Sequence, residues 1–178
     1  MNTNYPTARG SIHIRSIDPK EPPVITNVYA CTDADVQVLM MGWKHLRRLA
    51  RSVKGFRGEQ VGTMPKFPAG SKAAPLPYSA DQDLADVPEL QYSKEDDTAI
   101  VDYIQRSTGS AWHPACTLPQ LPKDKGGCVD SRLNFYGVKQ LKVADLSITP
   151  RVPGGNTYSV ALLVGERAAD FLVEDLSL

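Results

Sequence analysis

Of the three histidines in the chain, His13, His45 and His113, the last has the context best suited to chemistry. His113 lies between Trp112 and Pro114 in a stretch without helical periodicity, and the following proline restricts its backbone to extended conformations. An imidazole held in this way can exchange a proton near neutral pH, as a general acid or base does. His13 and His45 fall on a polar strand face and in a basic helix, which favours structural roles. From these residues alone His113 is a candidate acid or base, although a structural histidine is the simpler interpretation.

A zinc site is the alternative chemistry for the same stretch. His113, Cys116 and Cys128 carry suitable ligand atoms, and a His-x-x-Cys spacing occurs in metal sites. A fourth ligand is not found in any recognisable pairing, and Cys128 is distant in sequence. We therefore expect no metal. The cysteines also form no CxxC pair, which does not favour a disulfide framework.

A glycine-rich turn, Gly154-Gly155-Asn156-Thr157, is the second place where chemistry could occur. It precedes a predicted helix, and backbone N–H groups at a helix start favour anionic groups. The simpler interpretation is that Asn156 caps the helix. The sequence has neither a GxGxxG motif after a strand nor a GxxxxGK[ST] motif, so it carries no dinucleotide-binding or P-loop fingerprint.

Hydrophobic periodicity indicates the elements that must position these residues. Alternation at Ile12 and Ile14 predicts a half-buried strand over 10–17. Asp33 is the predicted N-cap of a helix over about 34–52, and Ser93 with Asp96 predicts a capping-box start for a helix over about 94–107. Recurrent prolines exclude a long regular element from about 62–92.

The last helix has apolar residues at helical spacing: Ala161, Val164, Ala168 and Phe171. Strands and helices without regular βαβ alternation predict an α+β fold.

Composition bounds the class of protein. The chain has 178 residues, 42% hydrophobic and 22% charged, which is typical of one compact globular domain. Lys plus Arg and Asp plus Glu number 20 each, so no net field attracts nucleic acid or a membrane surface. No apolar run has the length of a membrane span, and the first residues lack the pattern of a secretory signal. We expect neither a nucleic-acid nor a membrane partner.

Three stretches, in the same order and spacing, resemble the C-terminal part of glucose-methanol-choline (GMC) oxidoreductases. The first lies within 8–25 and comprises ARGSI, SIDP and PPVI. The second is GSAWHPACT at 109–117. The third lies within 129–170 and includes VDSRL, LKVADLSITP, GNT and VGERAAD.

The resemblance implies an α+β fold that forms the substrate-side part of a GMC oxidoreductase, with an antiparallel or mixed sheet and flanking helices. It implies one C-terminal domain over 1–178, with an irregular segment at about 62–92. The N-terminal Rossmann-like half, which holds most of the FAD in that family, has no counterpart in this sequence. The implied partners are a small-molecule alcohol, FAD, and a separate FAD-binding half or a second copy of the chain. Without that half, we expect exposed apolar patches.

The resemblance also implies catalytic roles. His113 falls at the position of the family's catalytic histidine, which takes the hydroxyl proton of an alcohol while a hydride passes to flavin N5. Asn156 falls where the family has a second His or Asn that hydrogen-bonds the substrate oxygen. Because an amide does not titrate, His113 is left as the base.

Further positions are implied to contact the cofactor. Gly155, Asn156 and Thr157 would direct backbone donors of a helix N-terminus towards the flavin. Ala144 and Asp145 match a segment that lies against the cofactor.

Two residues depart from the family pattern. A glycine is replaced by Cys116 and a methionine by Gln120. Glycine permits backbone angles that other residues resist, so we expect Cys116 to strain its turn.

The function implied is FAD-dependent oxidation of an alcohol CH–OH group by the C-terminal portion of such an enzyme. The alternative is a non-catalytic remnant or a partner-binding subunit that retains the substrate pocket.

Overall fold

A computed structural model describes residues 3–26 and 29–177 of the chain. It divides into two compact units, which are described separately. The first comprises Met1–Arg9 with Val28–Gly109, and the second comprises Gly10–Asn27 with Ser110–Leu178. In the described residues, helices and short strands occur together without βαβ units, which confirms the predicted α+β class.

The first unit is built on two packed helices, α1 (Asp33–Arg51) and α2 (Lys94–Ser107). Apolar side chains of the two helices, together with Ala30, form the core of this unit. Its six buried residues are Ala30, Val36, Leu39, Met40, Ile100 and Ile104. Trp43 on α1 extends this core, because its ring centroid lies 6.2 Å from Phe67, 6.5 Å from Tyr92 and 6.4 Å from Tyr103. The aromatic cluster thereby joins the irregular segment to both helices.

The helix starts follow from capping. α1 is capped by Thr32, whose hydroxyl accepts a hydrogen bond from the Asp35 N–H. The prediction of Asp33 as N-cap is wrong by one residue. Thr and Asp are both good capping residues, and here the cap is Thr32, whereas Asp33 places its negative charge in the first turn of the helix. α2 has the predicted capping box: Ser93 Oγ accepts from the Asp96 N–H at 3.2 Å, and Asp96 Oδ2 accepts from the Ser93 N–H at 2.8 Å.

The structure describes all of the proline-rich segment at 62–92. Its regular structure consists of two short 3₁₀ turns, Val61–Thr63 and Leu84–Asp86, and one bridge between Pro77 and Glu59. Two arginines of α1 hold it in place. Arg47 donates to the carbonyls of Ala73 and Ala74, and Arg51 donates to the carbonyl of Pro88. The segment is irregular in conformation but fixed to a helix by hydrogen bonds.

The second unit contains a two-stranded antiparallel hairpin, β1 (Ser11–His13) and β2 (Val24–Thr26), in which Ile12 pairs with Ile25. All six strand residues are exposed. The predicted half-buried strand over 10–17 is therefore wrong in length and in burial. Ile14 is 86% exposed, because no described element covers the face to which the alternation points.

The second unit has its own core beneath α3 (Tyr158–Leu176). Val164, Ala168 and Phe171 of this helix pack on Val129, Leu133 and Ile148, which come from the turns that precede it. The predicted helical spacing at 164, 168 and 171 is confirmed. None of the described helices is long and apolar enough to cross a membrane.

Candidate active site

His113 lies beside the start of α3, where two consecutive residues contact its ring. Asn156 Nδ2 is 3.4 Å from His113 Nε2, and Thr157 Oγ1 is 3.0 Å from His113 Nδ1. His113 and Asn156 are exposed, whereas Thr157 is buried. One turn of chain thus contacts both ring nitrogens from residues that are 43 and 44 positions away in sequence.

The loop that carries His113 is held on a second turn by a ladder of backbone hydrogen bonds. The N–H groups of Cys116, Leu118 and Gln120 donate to Leu146, Ser147 and Ile148, at 3.2, 2.9 and 2.7 Å. The receiving turn, Leu146–Ile148, is a 3₁₀ helix that begins at Asp145, whose carboxylate accepts from the Ser147 N–H at 2.8 Å. Asp145 therefore shapes the support on which the histidine loop rests.

The backbone on either side of His113 is left-handed at two side-chain-bearing residues. Trp112 has φ +57°, and Cys116 has φ +72°. Such angles favour glycine, so the expectation that Cys116 occupies a turn suited to glycine agrees with its geometry. Cys116 Sγ lies 3.3 Å from Thr149 Oγ1, a contact that a glycine would not make. The other departure, Gln120, donates its side-chain amide to the Asp130 carbonyl at 3.1 Å.

The orientation of the Asn156 amide is fixed by the helix it precedes. Its Oδ1 accepts from the Tyr158 N–H at 2.9 Å, and a backbone N–H can only donate. Nδ2 is therefore the atom that faces His113. Asn156 therefore satisfies a backbone donor at the helix start, as a capping residue does, and also contacts the imidazole.

Asp130, whose carbonyl accepts from the Gln120 side chain, has a perturbed pKa. Burial would raise the pKa of Asp130, but hydrogen bonds from the Asn134 backbone and side chain and from the Arg132 N–H lower it below its usual range. An ionised carboxylate satisfied in this way orders the 130–134 turn and leaves proton transfer to another group.

The sequence-predicted residues fall into two groups. His113, Asn156 and Thr157 come together, with Gly155 adjacent to them in the turn. Ala144 and Asp145 are exposed and lie at the turn that supports the histidine loop. They are not among the residues described as hydrogen-bonded to His113, which are Asn156 and Thr157.

One contact of this site is not predicted from the sequence. The resemblance implies that Thr157 contacts a cofactor, whereas its hydroxyl lies against the imidazole of His113. The sequence signal for the contact with the imidazole is the hydroxyl-bearing residue that directly follows Asn156. No group of three His, Cys, Asp or Glu side chains within 3–26 and 29–177 is arranged to hold a metal ion.

The sequence profile of the C-terminal region of GMC oxidoreductases matches residues 6–165. Since this is most of the chain, the protein belongs to the GMC oxidoreductase family. His113 and Asn156 both lie within the matched region.

Individual relatives agree with this assignment. Alcohol oxidase of Pichia angusta is 33% identical over 215 residues, covering 97% of this chain and 32% of the relative. Alcohol oxidase 2 of Komagataella phaffii is 34% identical with the same coverage. The chain thus spans about a third of the length of the curated relatives it matches.

Solved structures give the same result. A fungal aryl-alcohol oxidase matches with a TM-score of 0.65 and 25% identity, covering 98% of this chain and 25% of that one. An FAD-dependent oxidoreductase from Chaetomium thermophilum matches with a TM-score of 0.67 and 26% identity, covering 98% and 26%. The fold of the chain is that of the C-terminal part of these larger proteins.

Proposed function

We propose that this chain is the substrate-side part of an FAD-dependent oxidoreductase that oxidises a CH–OH group of a small alcohol. In this proposal, residues 1–178 form one C-terminal domain that includes the irregular segment at 62–92. The observation that carries the proposal is the approach of His113 Nε2 to Asn156 Nδ2 at 3.4 Å on an exposed surface. A single oxygen atom placed beside this pair is within hydrogen-bonding distance of both nitrogens.

The two residues have complementary roles. His113 Nε2 accepts the proton of the substrate hydroxyl as a general base, and Asn156 Nδ2 donates to the same oxygen as charge develops on it. FAD, when bound, supplies the two-electron acceptor for the hydride from the carbon. The alcohol then leaves as a carbonyl compound, with its proton on His113.

The residues around this pair fit the ring end of the cofactor. The turn at 154–156 is exposed, and apart from its own chain neighbours no atom lies within 4 Å of a Cβ placed on Gly155, so a flat group has room to approach the backbone. The N-terminus of α3, with Asn156 and Thr157, favours the negative charge of a reduced flavin. Ala144 and Asp145 are also exposed, and we assign them to the same cofactor surface.

The remainder of FAD needs a second protein part. The sequence has no glycine-rich phosphate turn, so we propose that an FAD-binding half, on a longer chain or a separate one, supplies the phosphate and adenine contacts. α3 supports this proposal because it is apolar on two sides. Its exposed stripe, spaced by four and three residues, consists of Tyr158, Leu162, Gly165, Ala169, Leu172 and Leu176.

A helix that is apolar on two sides is normally packed on both of them. The hairpin adds exposed apolar surface, with Ile12 at 44% and Ile25 at 57% exposure. These surfaces are the contacts that we assign to the FAD-binding half. Association between two copies of the chain is the competing way to cover them, and it is an outcome of the test below.

The test combines this chain with an FAD-binding half, for which the N-terminal part of the Pichia angusta alcohol oxidase is a practical source. After co-expression and desalting, flavin absorbance measures FAD retention, and alcohol added without oxygen should bleach it. His113→Ala should retain the flavin but bleach far more slowly, whereas His45→Ala, on the exposed side of α1, should bleach normally.

The outcomes separate the candidate functions. Bound FAD that no alcohol bleaches would refute the catalytic proposal and favour a non-catalytic remnant. A stable homo-oligomer that rejects the FAD-binding half would refute the assignment of the apolar surfaces.

A further inference from the structure

The hydrogen bonds around His113 define which ring nitrogen carries the proton. Asn156 Nδ2 faces His113 Nε2, because Asn156 Oδ1 is engaged by the Tyr158 N–H at 2.9 Å. An amide NH₂ group donates and cannot accept. In this contact Nε2 must therefore be the acceptor, with its lone pair free of a proton.

A neutral imidazole with an unprotonated Nε2 carries its hydrogen on Nδ1. That nitrogen lies 3.0 Å from Thr157 Oγ1, so the Nδ1–H donates and the hydroxyl oxygen accepts. Without the Tyr158 anchor, either contact would permit both tautomers. With the Asn156 amide anchored in this way, the two contacts agree on one tautomer of the neutral ring.

The hydroxyl of Thr157 hydrogen-bonds to the imidazole ring of His113 and not to the backbone of α3. It is the N-cap of α3, where a threonine hydroxyl commonly accepts from the N–H groups of the first turn. Here the hydroxyl makes no capping hydrogen bond, and its backbone carbonyl accepts from the Ala161 N–H at 2.9 Å. The side chain is 4% exposed, so water does not readily replace it as the partner of Nδ1.

We propose that Thr157 is a positioning residue that holds His113 as the Nδ1–H tautomer and so presents an unprotonated Nε2 to the substrate. This inference rests on the proposed function for the identity of Nε2 as the base, but the tautomer itself does not depend on turnover. When Nε2 takes up the substrate proton, the donation from Nδ1 to Thr157 is unchanged. The ring therefore has no need to turn between its two charge states.

The test is nitrogen NMR on the 178-residue chain labelled at histidine, in which only His13, His45 and His113 give signals. Couplings between ring carbons, protons and nitrogens report which nitrogen is protonated, at a pH where the imidazole is neutral. We expect the Nδ1–H form for His113 in the wild type and in Thr157→Ser, which retains the hydroxyl. In Thr157→Val, which keeps the shape but not the oxygen, at least half of the population should move to the Nε2–H form.

A second variant tests the same logic from the other nitrogen. Asn156→Asp still accepts from the Tyr158 N–H but cannot donate to Nε2, so His113 should become protonated at Nε2. A predominant Nε2–H tautomer in the wild type, or an unchanged Nδ1–H tautomer in Thr157→Val with native circular dichroism, would overturn the inference.

The reconstituted flavoprotein distinguishes this failure from that of the proposed function. The predicted tautomers without alcohol-dependent bleaching would refute the proposed function and leave the role of Thr157 intact. Bleaching that depends on His113 but is unaffected by Thr157→Val would refute the role of Thr157 and leave the proposed function intact.

Discussion

Arg47 and Glu59 form a bidentate ion pair inside the first unit, with Nε to Oε1 at 2.6 Å and Nη2 to Oε2 at 2.8 Å. Both side chains are buried, at 4% and 8% exposure. Arg51 adds two more hydrogen bonds to the same carboxylate, and the Leu76 N–H a further one. Because Glu59 also accepts from the Leu76 N–H, the ion pair joins α1 to the irregular segment.

The first prediction concerns acid stability. Burial alone would raise the pKa of Glu59, but the hydrogen bonds from Arg47, Arg51 and Leu76 outweigh it and lower the pKa from 4.5 to about 2. A carboxyl with a lowered folded pKa contributes stability above its unfolded value, and this stability is lost as the pH falls from about 4.5 towards 2. The shift corresponds to about 3 kcal/mol of unfolding free energy. Urea unfolding at pH 7, 5 and 3 measures it.

Glu59→Gln removes the charge and isolates this contribution. We expect a loss of about 3 kcal/mol at neutral pH, because two buried guanidinium groups lose their carboxylate partner, and a flatter pH dependence below 5. The control is Asp102→Asn, which breaks the exposed pair with Arg106 and should cost less than about 1 kcal/mol. Equal losses in the two variants would contradict the buried-pair interpretation.

The second prediction concerns the left-handed turn at Cys116. Its φ of +72° costs a side-chain-bearing residue about 1 kcal/mol relative to glycine. Cys116→Gly should therefore be more stable than Cys116→Ala by about that amount, as measured by thermal unfolding. Alanine is the matched control because it also loses the Sγ contact with Thr149 but keeps a Cβ. Equal melting temperatures would show that the turn does not require left-handed geometry.

The third prediction concerns the exposed stripe of α3. Without its proposed partner, the purified chain should self-associate, and light scattering should detect this. Leu162→Glu with Leu172→Lys should reduce association and leave the melting temperature nearly unchanged, because both side chains are about half exposed. Val164→Lys is the contrasting variant: its side chain is 8% exposed and packs in the core, so it should unfold the unit. A monomeric wild type at high concentration would contradict the prediction.

The fourth prediction concerns the amide beside the base. In the reconstituted flavoprotein, Asn156→Ala should slow flavin reduction by about 10²-fold, since one donor to the developing oxyanion is lost. Stopped-flow absorbance measures the rate. Ser159→Ala, an exposed position on the first turn of α3, is the control and should reduce normally. A rate for Asn156→Ala within a factor of about two of the wild type would remove this residue from the reaction.

The elements that the sequence predicts well have local signals. Ser93 and Asp96 are three residues apart and form a capping box within one turn, so local sequence suffices to place α2. The packed face of α3 follows from its 3.6-residue period. The prediction of a half-buried strand over 10–17 is wrong because alternation indicates which side chains share a face, whereas the burial of that face depends on another element that packs on it. The described residues leave that face of the hairpin exposed.

The site illustrates the same division. His113 and Asn156 were identified from a family pattern, and their approach arises from tertiary structure that spacing alone does not predict. The contact between Thr157 Oγ1 and His113 Nδ1 depends on the side-chain rotamer of one residue at a helix start, which local sequence does not predict. The Glu59 cluster is also not predicted, because its charges come from α1 and from a residue beyond the helix, which share no period.

The anchoring of the irregular segment also affects how the chain can be altered. Backbone hydrogen bonds that tie the segment to residues outside it reach as far as Ser79, whose N–H donates to the Arg57 carbonyl at 2.7 Å. The next such anchor is the Pro88 carbonyl held by Arg51, and the bonds between these two points are local. Residues 80–87 therefore form a closed span between two fixed ends. Since loop-closure entropy grows only slowly with length, about 0.6 kcal/mol per doubling, this span can accept inserted residues without disturbing the two helices. It is the natural position for grafting a peptide or a label onto the domain.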